Sequence, residues 1–242
     1  MAQTTRARVL GCPVDVVDMD TAVRRLVELL EDRAPATPAL VVTLNPEIVM
    51  LARREPDFRA LLESASLIVP DGVGVVRALR RRGHRDAERV GGADLLEAYL
   101  PHAQALGQRL ALVGARAGVA ERAARRLREA HPHLEVVADG GDPTAATALR
   151  VGRSAPLLVA AAYGAGRQER FLRAHLENMQ ARLGIGVGGT LDYWAGTVRR
   201  APVLVRRAGL EWLWRLALEP SRWRRQLALP RFWLLERLEV GR

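Results

Sequence analysis

Asp71 stands in the run Pro70-Asp71-Gly72-Val73-Gly74, directly after a short apolar stretch and at the opening of a helical one. A carboxylate at a strand end, beside glycines that let a ligand approach the backbone, is placed to act as a general base. The same position suits a side chain that caps the following helix, and the motif admits both roles. Thr43 and Asn45, in Thr43-Leu44-Asn45-Pro46-Glu47, follow another apolar stretch. Their uncharged groups suit sugar hydroxyls or the edge of a uracil. Pro46 fits the first turn of a helix, and turn chemistry accounts for the pair equally well.

Three glycine-bearing runs carry further candidates. Gly114-Ala115-Arg116-Ala117-Gly118 has the form of a loop whose amides hold a phosphate, or of a plain tight turn, and it departs from the full dinucleotide and Walker patterns. Gly164-Ala165-Gly166-Arg167-Gln168-Glu169 sets a guanidinium, an amide and a carboxylate beside flexible backbone, an arrangement suited to a diphosphate or a sugar. In Gly188-Gly189-Thr190-Leu191-Asp192 two glycines again permit close approach, with Asp192 either facing a ligand or capping a short helix. No His-x-x-x-His, no paired cysteines and no Asp-x-Asp stand at these strand ends, so neither a dedicated metal site nor a cofactor is expected. The single cysteine, Cys12, excludes an intramolecular disulfide framework and reads as a small core residue in a reducing compartment.

These candidates share one feature: each follows a short run rich in Val, Leu and Ile. Such runs occur at Leu40–Leu44, Leu67–Val69, Leu110–Val113, Leu134–Val137, Leu157–Ala161 and Ile185–Val187. Between them, Thr21–Asp32, Gly92–Leu106, Val119–His131 and Gln168–Gln180 have helical spacing. Alternating strands and helices imply an α/β fold, a doubly wound, mostly parallel, Rossmann-like sheet. Apolar strands without polar alternation imply a sheet covered on both faces, with ligands at the carboxyl ends of its strands. The polar residues after those strands are therefore expected in one crevice.

After Ala201 the pattern changes to Arg, Trp and Leu at helical spacing with no further strand. Residues 1–198 are expected to form the Rossmann-like domain and 199–242 a helical, membrane-associating appendage. From Arg199 to Arg242 there are 11 Arg against 4 Glu, so this stretch holds +7 of the chain's +10. All 37 basic residues are arginine. Three of the five tryptophans, Trp212, Trp214 and Trp223, lie interleaved with arginine there, and Trp233 follows. Trp, Phe and Leu on one side of a helix and Arg on the other describe a segment lying in a bilayer interface, attracted to anionic lipid. A docked tail whose tryptophans pack on the core has the same composition. No window approaches the ~20 apolar residues that spanning a bilayer takes, and the chain is expected to be neither exported nor membrane-spanning.

Read together, the motifs resemble the family of glycosyltransferases named for the enzymes that add N-acetylmannosamine in wall teichoic acid synthesis and N-acetylmannosaminuronic acid in enterobacterial common antigen. The resemblance is carried by Thr43-x-Asn45-x-Glu47, Pro70-Asp71-Gly72-x-Gly74, Arg89-Val90-x-Gly92-x-Asp94 and the run ending Gln168-Glu169. Further along come Gly188-Gly189-x-x-Asp192-x-x-x-Gly196, Arg200-Ala201-Pro202 and Gly209-Leu210-Glu211-Trp212. It implies an inverting, metal-independent transferase with a Rossmann-like fold, a UDP-sugar donor and an undecaprenyl-diphosphate-linked sugar acceptor. It implies Asp71 as base and Thr43 as its active-site neighbour, with Asn45, Arg89, Gly92, Asp94, Gly114, Gln168, Glu169, Gly188 and Asp192 around the substrates. Arg215, Arg222 and Arg225 would meet the departing diphosphate. The family's Pro-Lys before the glutamine is Gly166-Arg167 here, a departure in the shape of that loop. The resemblance also implies a tail that attaches to the inner face of the cell membrane and completes the active site, a cytoplasmic location, and self-association into a homo-oligomer when the tail is not engaged. Two other classes compete: a non-catalytic regulator that binds nucleotide sugars, and a basic nucleic-acid-binding protein. Asp71 together with the tail arginines speaks against the first. Tryptophans clustered with leucines favour a membrane over nucleic acid.

Overall fold

The computed structural model describes residues 4–32, 37–220 and 223–240, with the side chains of residues 207, 224, 225 and 240 outside that description. In chain order the elements begin β1 (Arg6–Val9), β2 (Cys12–Asp15), α1 (Met19–Glu31), β3 (Ala39–Leu44), α2 (Pro46–Ala52), α3 (Pro56–Glu63), β4 (Leu67–Pro70) and α4 (Val73–Arg81). They continue α5 (Gly92–Ala105), β5 (Arg109–Gly114), α6 (Val119–Ala130), β6 (Glu135–Asp139), α7 (Ala145–Gly152), β7 (Leu158–Ala162), α8 (Arg167–His175), β8 (Leu183–Gly186) and α9 (Thr190–Trp194). The C-terminal helices are α10 (Val203–Arg207), α11 (Glu211–Leu218), α12 (Trp223–Gln226) and α13 (Ala228–Val240).

Six strands form one parallel sheet in the order β4-β3-β8-β7-β5-β6. Period-2 alternation divides its side chains between two core layers. Leu40, Val42 and Leu44 of β3 face one layer with α2, α3, α4, α7 and α8, while Ala39 and Val41 face the other with α1, α5, α6 and α9. Both faces are covered, which is why β3, β4, β7 and β8 are buried along their whole length and show no polar alternation. After β3 the chain turns into α2 on the first face, and after the adjacent β8 it turns into α9 on the second. This divergence between neighbouring strands opens a crevice at their carboxyl ends.

The structure departs from the sequence reading in three places. Arg6–Asp15 is an antiparallel hairpin apart from the main sheet, turning at Leu10 and Gly11 with φ of 50° and 78°. It is tied to the sheet edge by the buried Asp15 carboxylate, which accepts from Arg6 and from the Ile68 amide at 2.7 Å. The helix expected over Gln168–Gln180 ends at His175 and gives way to turns. And α13 joins the core: Phe232, grouped by sequence with the interfacial aromatics, is fully buried in the layer that holds α2 and α4. The Glu236 carboxylate is also fully buried and is held by Arg81 and, at 2.8 Å, by Arg82.

The other tail helices leave apolar surface uncovered. Among the described residues, every exposed large hydrophobic side chain except Leu106 and Leu149 lies between Val203 and Leu238; Leu204, Leu213, Trp223, Leu234 and Leu238 are examples. No described helix is long and apolar enough to cross a membrane.

Candidate active site

The crevice is lined from the carboxyl ends of β3, β4, β7 and β8, and roofed by residues of α10 to α13. Asp71 lies at its floor. The backbone amide of Asp71 donates to the Leu44 carbonyl at 2.8 Å, which continues the β3–β4 pairing one residue past the strand and fixes where the side chain points. The capping role is not the one it takes: the N-cap of α4 is Gly72, and no side chain caps that helix. Among the described residues the Asp71 carboxylate accepts no hydrogen bond. Its nearest cation is Arg89, whose Nε lies 3.8 Å from Oδ1. Burial pushes the Asp71 carboxyl up to about 6; Arg89 opposes this, while the negative charges of Glu211 and Asp94 add to it.

Thr43, buried beside it, donates from Oγ1 to the Gly186 carbonyl at 3.0 Å and so joins β3 to β8 where their backbone pairing has ended. Asn45 caps α2, its Oδ1 accepting from the Ile48 amide at 3.0 Å, and also lines the crevice. Gln168 ties two loops together: its Oε1 accepts from the Gly188 amide at 3.1 Å and its Nε2 donates to Glu169 at 2.8 Å. Gly92 and Gly188 are also at the crevice wall. Arg215, only 12% exposed, lies over Tyr193 with its guanidinium 4.9 Å from the ring centre. It donates to Asp192 at 3.2 Å and to Glu219 at 3.0 Å.

Several predicted residues sit elsewhere. Asp94 lies behind the wall, where its carboxylate gathers Arg89 at 3.3 Å, Arg200 at 2.6 Å and Arg206 at 3.1 Å. Asp192 holds Arg215 in place and does not line the crevice. Glu169 is fully buried at the start of α8 and accepts from the Gly166 amide at 2.6 Å; burial raises its carboxyl above the usual carboxylate range. Gly114 is outside the crevice: with φ of 85° it lies flat against Tyr163, whose ring a Cβ would meet at 2.5 Å. It serves packing between the ends of β5 and β7, because β7 separates β5 from the strands that open the crevice. Arg222 lies outside the described residues, as does the side chain of Arg225.

Arg200, Arg206, Glu211 and Tyr193 were given no role by sequence, and Trp212 was read as an interfacial tryptophan, yet all five line the crevice. Arg200, Glu211 and Trp212 belong to motifs already quoted, so their presence was visible while their partners were not. Arg200 bridges Asp94 to Glu97 at 3.0 Å and lies 3.7 Å from Glu211, joining α5 to α11. Among the described residues, no three His, Cys, Asp or Glu side chains come together as a group able to hold a metal ion. Among the described residues, the crevice offers at its floor a carboxylate that accepts no hydrogen bond, and guanidinium groups from both the sheet side and the tail. That pairing suits proton abstraction from a hydroxyl beside a bound polyanion.

Comparison with known proteins bears on the same residues. The sequence model of the glycosyl transferase WecG/TagA/CpsF family matches residues 7–240. The N-acetylglucosaminyldiphosphoundecaprenol N-acetyl-beta-D-mannosaminyltransferase of Bacillus subtilis strain 168 is 33% identical over 198 residues, covering 80% of this chain and 77% of that protein. The enzyme of the same name from Bacillus spizizenii strain W23 is 34% identical over 197 residues, with 80% and 77% covered. The match runs from the first hairpin through α13, so the crevice and its helical roof fall within it, and the chain is a glycosyltransferase belonging to the WecG/TagA/CpsF family.

Proposed function

We propose that the chain transfers N-acetylmannosamine from a UDP-linked donor to N-acetylglucosamine carried on undecaprenyl diphosphate, with inversion at the anomeric carbon and without a metal. The observation that carries the mechanism is the Asp71 carboxylate at the crevice floor, which accepts no hydrogen bond among the described residues and faces guanidinium groups. An acceptor hydroxyl attacks the anomeric carbon from the side opposite the leaving group. Its proton passes to Asp71 as the new C–O bond forms, and the bond from that carbon to the UDP oxygen breaks. The negative charge left on UDP is met by Arg215, with Arg222 and Arg225 from the same tail. Thr43, Asn45 and Gln168 orient the sugar and the nucleotide, and Arg89 keeps the floor of the site in order.

In this reading residues 1–198 are the catalytic domain and 199–242 the appendage that closes it. The names of the two relatives support a lipid-linked acceptor. The exposed side chains of α10 to α13, such as Leu204, Leu213 and Trp223, support attachment to the inner face of an anionic membrane.

The test is UDP release from UDP-N-acetylmannosamine and other UDP-sugars, with and without a short-chain N-acetylglucosaminyl lipid diphosphate. Truncating the tail would also remove the buried Phe232 and Glu236, so point substitutions are the better probe. The expected result is acceptor-dependent release, lost in Asp71→Asn and strongly reduced in Arg215→Ala, with UDP still bound. Binding of UDP-sugars without release from any of them would overturn the reading in favour of a non-catalytic binding protein.

A further inference from the structure

The Arg89 guanidinium has three carboxylates within reach. Its Nη2 donates to Glu211 at 2.8 Å and to Asp94 at 3.3 Å, whereas its Nε stops 3.8 Å from Asp71, beyond hydrogen-bond distance. Asp71 and Asp94 belong to the sheet half of the molecule. Glu211 arrives with the tail as the first residue of α11, where Gly209 brings the chain against Val73, two residues from Asp71. Arg200 backs Glu211 from the other side, its Nε 3.7 Å from the second carboxylate oxygen.

We propose that Glu211 is a positioning residue for the transfer reaction: by drawing the Arg89 guanidinium toward α11 it keeps Arg89 from closing on Asp71, so that the base is free to take a proton only while the tail is docked. The proposal rests on the reading of Asp71 as the base. A guanidinium forked onto a carboxylate occupies its lone pairs and stabilises its charge, and both effects make it a poorer base. The charged groups facing Asp71 are Arg89 and Arg200, which favour its ionised form, and Glu211 and Asp94, which oppose it. Losing the Glu211 charge therefore acts twice in one direction, by removing a like charge and by releasing Arg89.

The experiment compares pH–rate profiles of the full-length protein and Glu211→Gln, from roughly pH 5 to roughly pH 8.5, in the UDP-release assay. Glutamine keeps the shape of the side chain and can still accept from Arg89, but without charge. The expected result is an acid limb displaced downward by about half to one pH unit, and a plateau kcat about tenfold lower. Added to Arg89→Gln, the substitution should lose the part of its effect that runs through that guanidinium, so the combined change should fall well short of the sum of the two. A purely structural role would lower activity without moving the limb. An unmoved limb, or an effect that simply adds to that of Arg89→Gln, overturns the proposal. Should Asp71→Asn retain turnover, the reading of the base falls and this proposal with it. Should Asp71→Asn be inactive while the Glu211→Gln limb stays in place, only the proposal falls.

Discussion

A base that is ordinary in type becomes useful through its surroundings, and Asp71 shows how few residues that takes. Burial and the nearby Glu211 and Asp94 charges lift its carboxyl to about 6, with Arg89 as the main opposing influence. A raised carboxyl is protonated below that value, so kcat/KM is expected to fall about tenfold per pH unit below pH 6 and to level off above it; a pH–rate profile checks this. The linkage to stability has the opposite sense. Holding the ionised form in the fold costs stability above the folded value, and the cost vanishes below the unfolded value near 4. Asp71→Asn is therefore expected to lose turnover by about a hundredfold or more while melting no lower than the parent. At pH 8 it should melt higher, and the difference should close as the pH falls from about 6 to about 4. Melts at three pH values would check it, and a variant that melts lower at pH 8 would contradict the account.

Two helices show different ways in which an element is fixed. The first turn of α8 depends on Gly166, whose φ of 82° is closed to proline, and on Glu169, which accepts from the Gly166 amide. A proline at this position cannot be accommodated in the loop as it stands. Gly166→Pro is expected to destabilise the fold by about 2 kcal/mol or more in a denaturant titration, and to weaken donor binding through the displaced Gln168. Docking of α13 depends on Phe232 and on Glu236 held by Arg81 and Arg82. Phe232→Ala removes a fully buried ring from the main core and is expected to cost about 3–5 kcal/mol, read from the same titration. Leu238→Ser, on the same helix but 58% exposed, should leave stability nearly unchanged.

At the scale of the molecule, one region carries most of the net positive charge and, among the described residues, most of the exposed large hydrophobic side chains. From Arg199 onward the chain holds +7 of the +10, and Leu204, Leu213, Trp223, Leu234 and Leu238 of the same stretch are exposed. Such a surface binds anionic bilayers by apolar burial and charge together. Flotation with vesicles containing anionic lipid should recover the protein, and high salt or neutral vesicles should recover less. The combined variant Leu213→Ser, Leu234→Ser, Leu238→Ser is expected to stay with the unbound fraction while melting like the parent. Retention on the vesicles despite all three changes would place the contact elsewhere. Because α11 both borders this surface and supplies Glu211 and Arg215 to the crevice, attachment and catalysis draw on the same helix.

The residues that make a strand end or a helix start are neighbours in the chain, and for that reason the α/β alternation, the parallel sheet and the strand-end side of the crevice could be read from sequence. Thr43, Asn45, Asp71, Gln168 and Gly188 were found because an apolar run followed by a polar residue and glycine is a local pattern with a local cause. The hairpin of Arg6–Asp15 escaped that logic, since its strands are only four residues long and β2 is buried by packing on β4 and α3, while β1 stays largely exposed against α4. The tertiary structure alone decided which strand ends share a crevice. Gly114 has the same local signature as Gly188, yet strand order sets it beyond β7, and order follows from long-range pairing that no short segment records. The same holds for charge. Nothing near Arg89 in the sequence says that its closest partner is Glu211, or that Phe232 is buried while Trp223 is exposed, because those choices depend on where a helix more than a hundred residues away comes to rest.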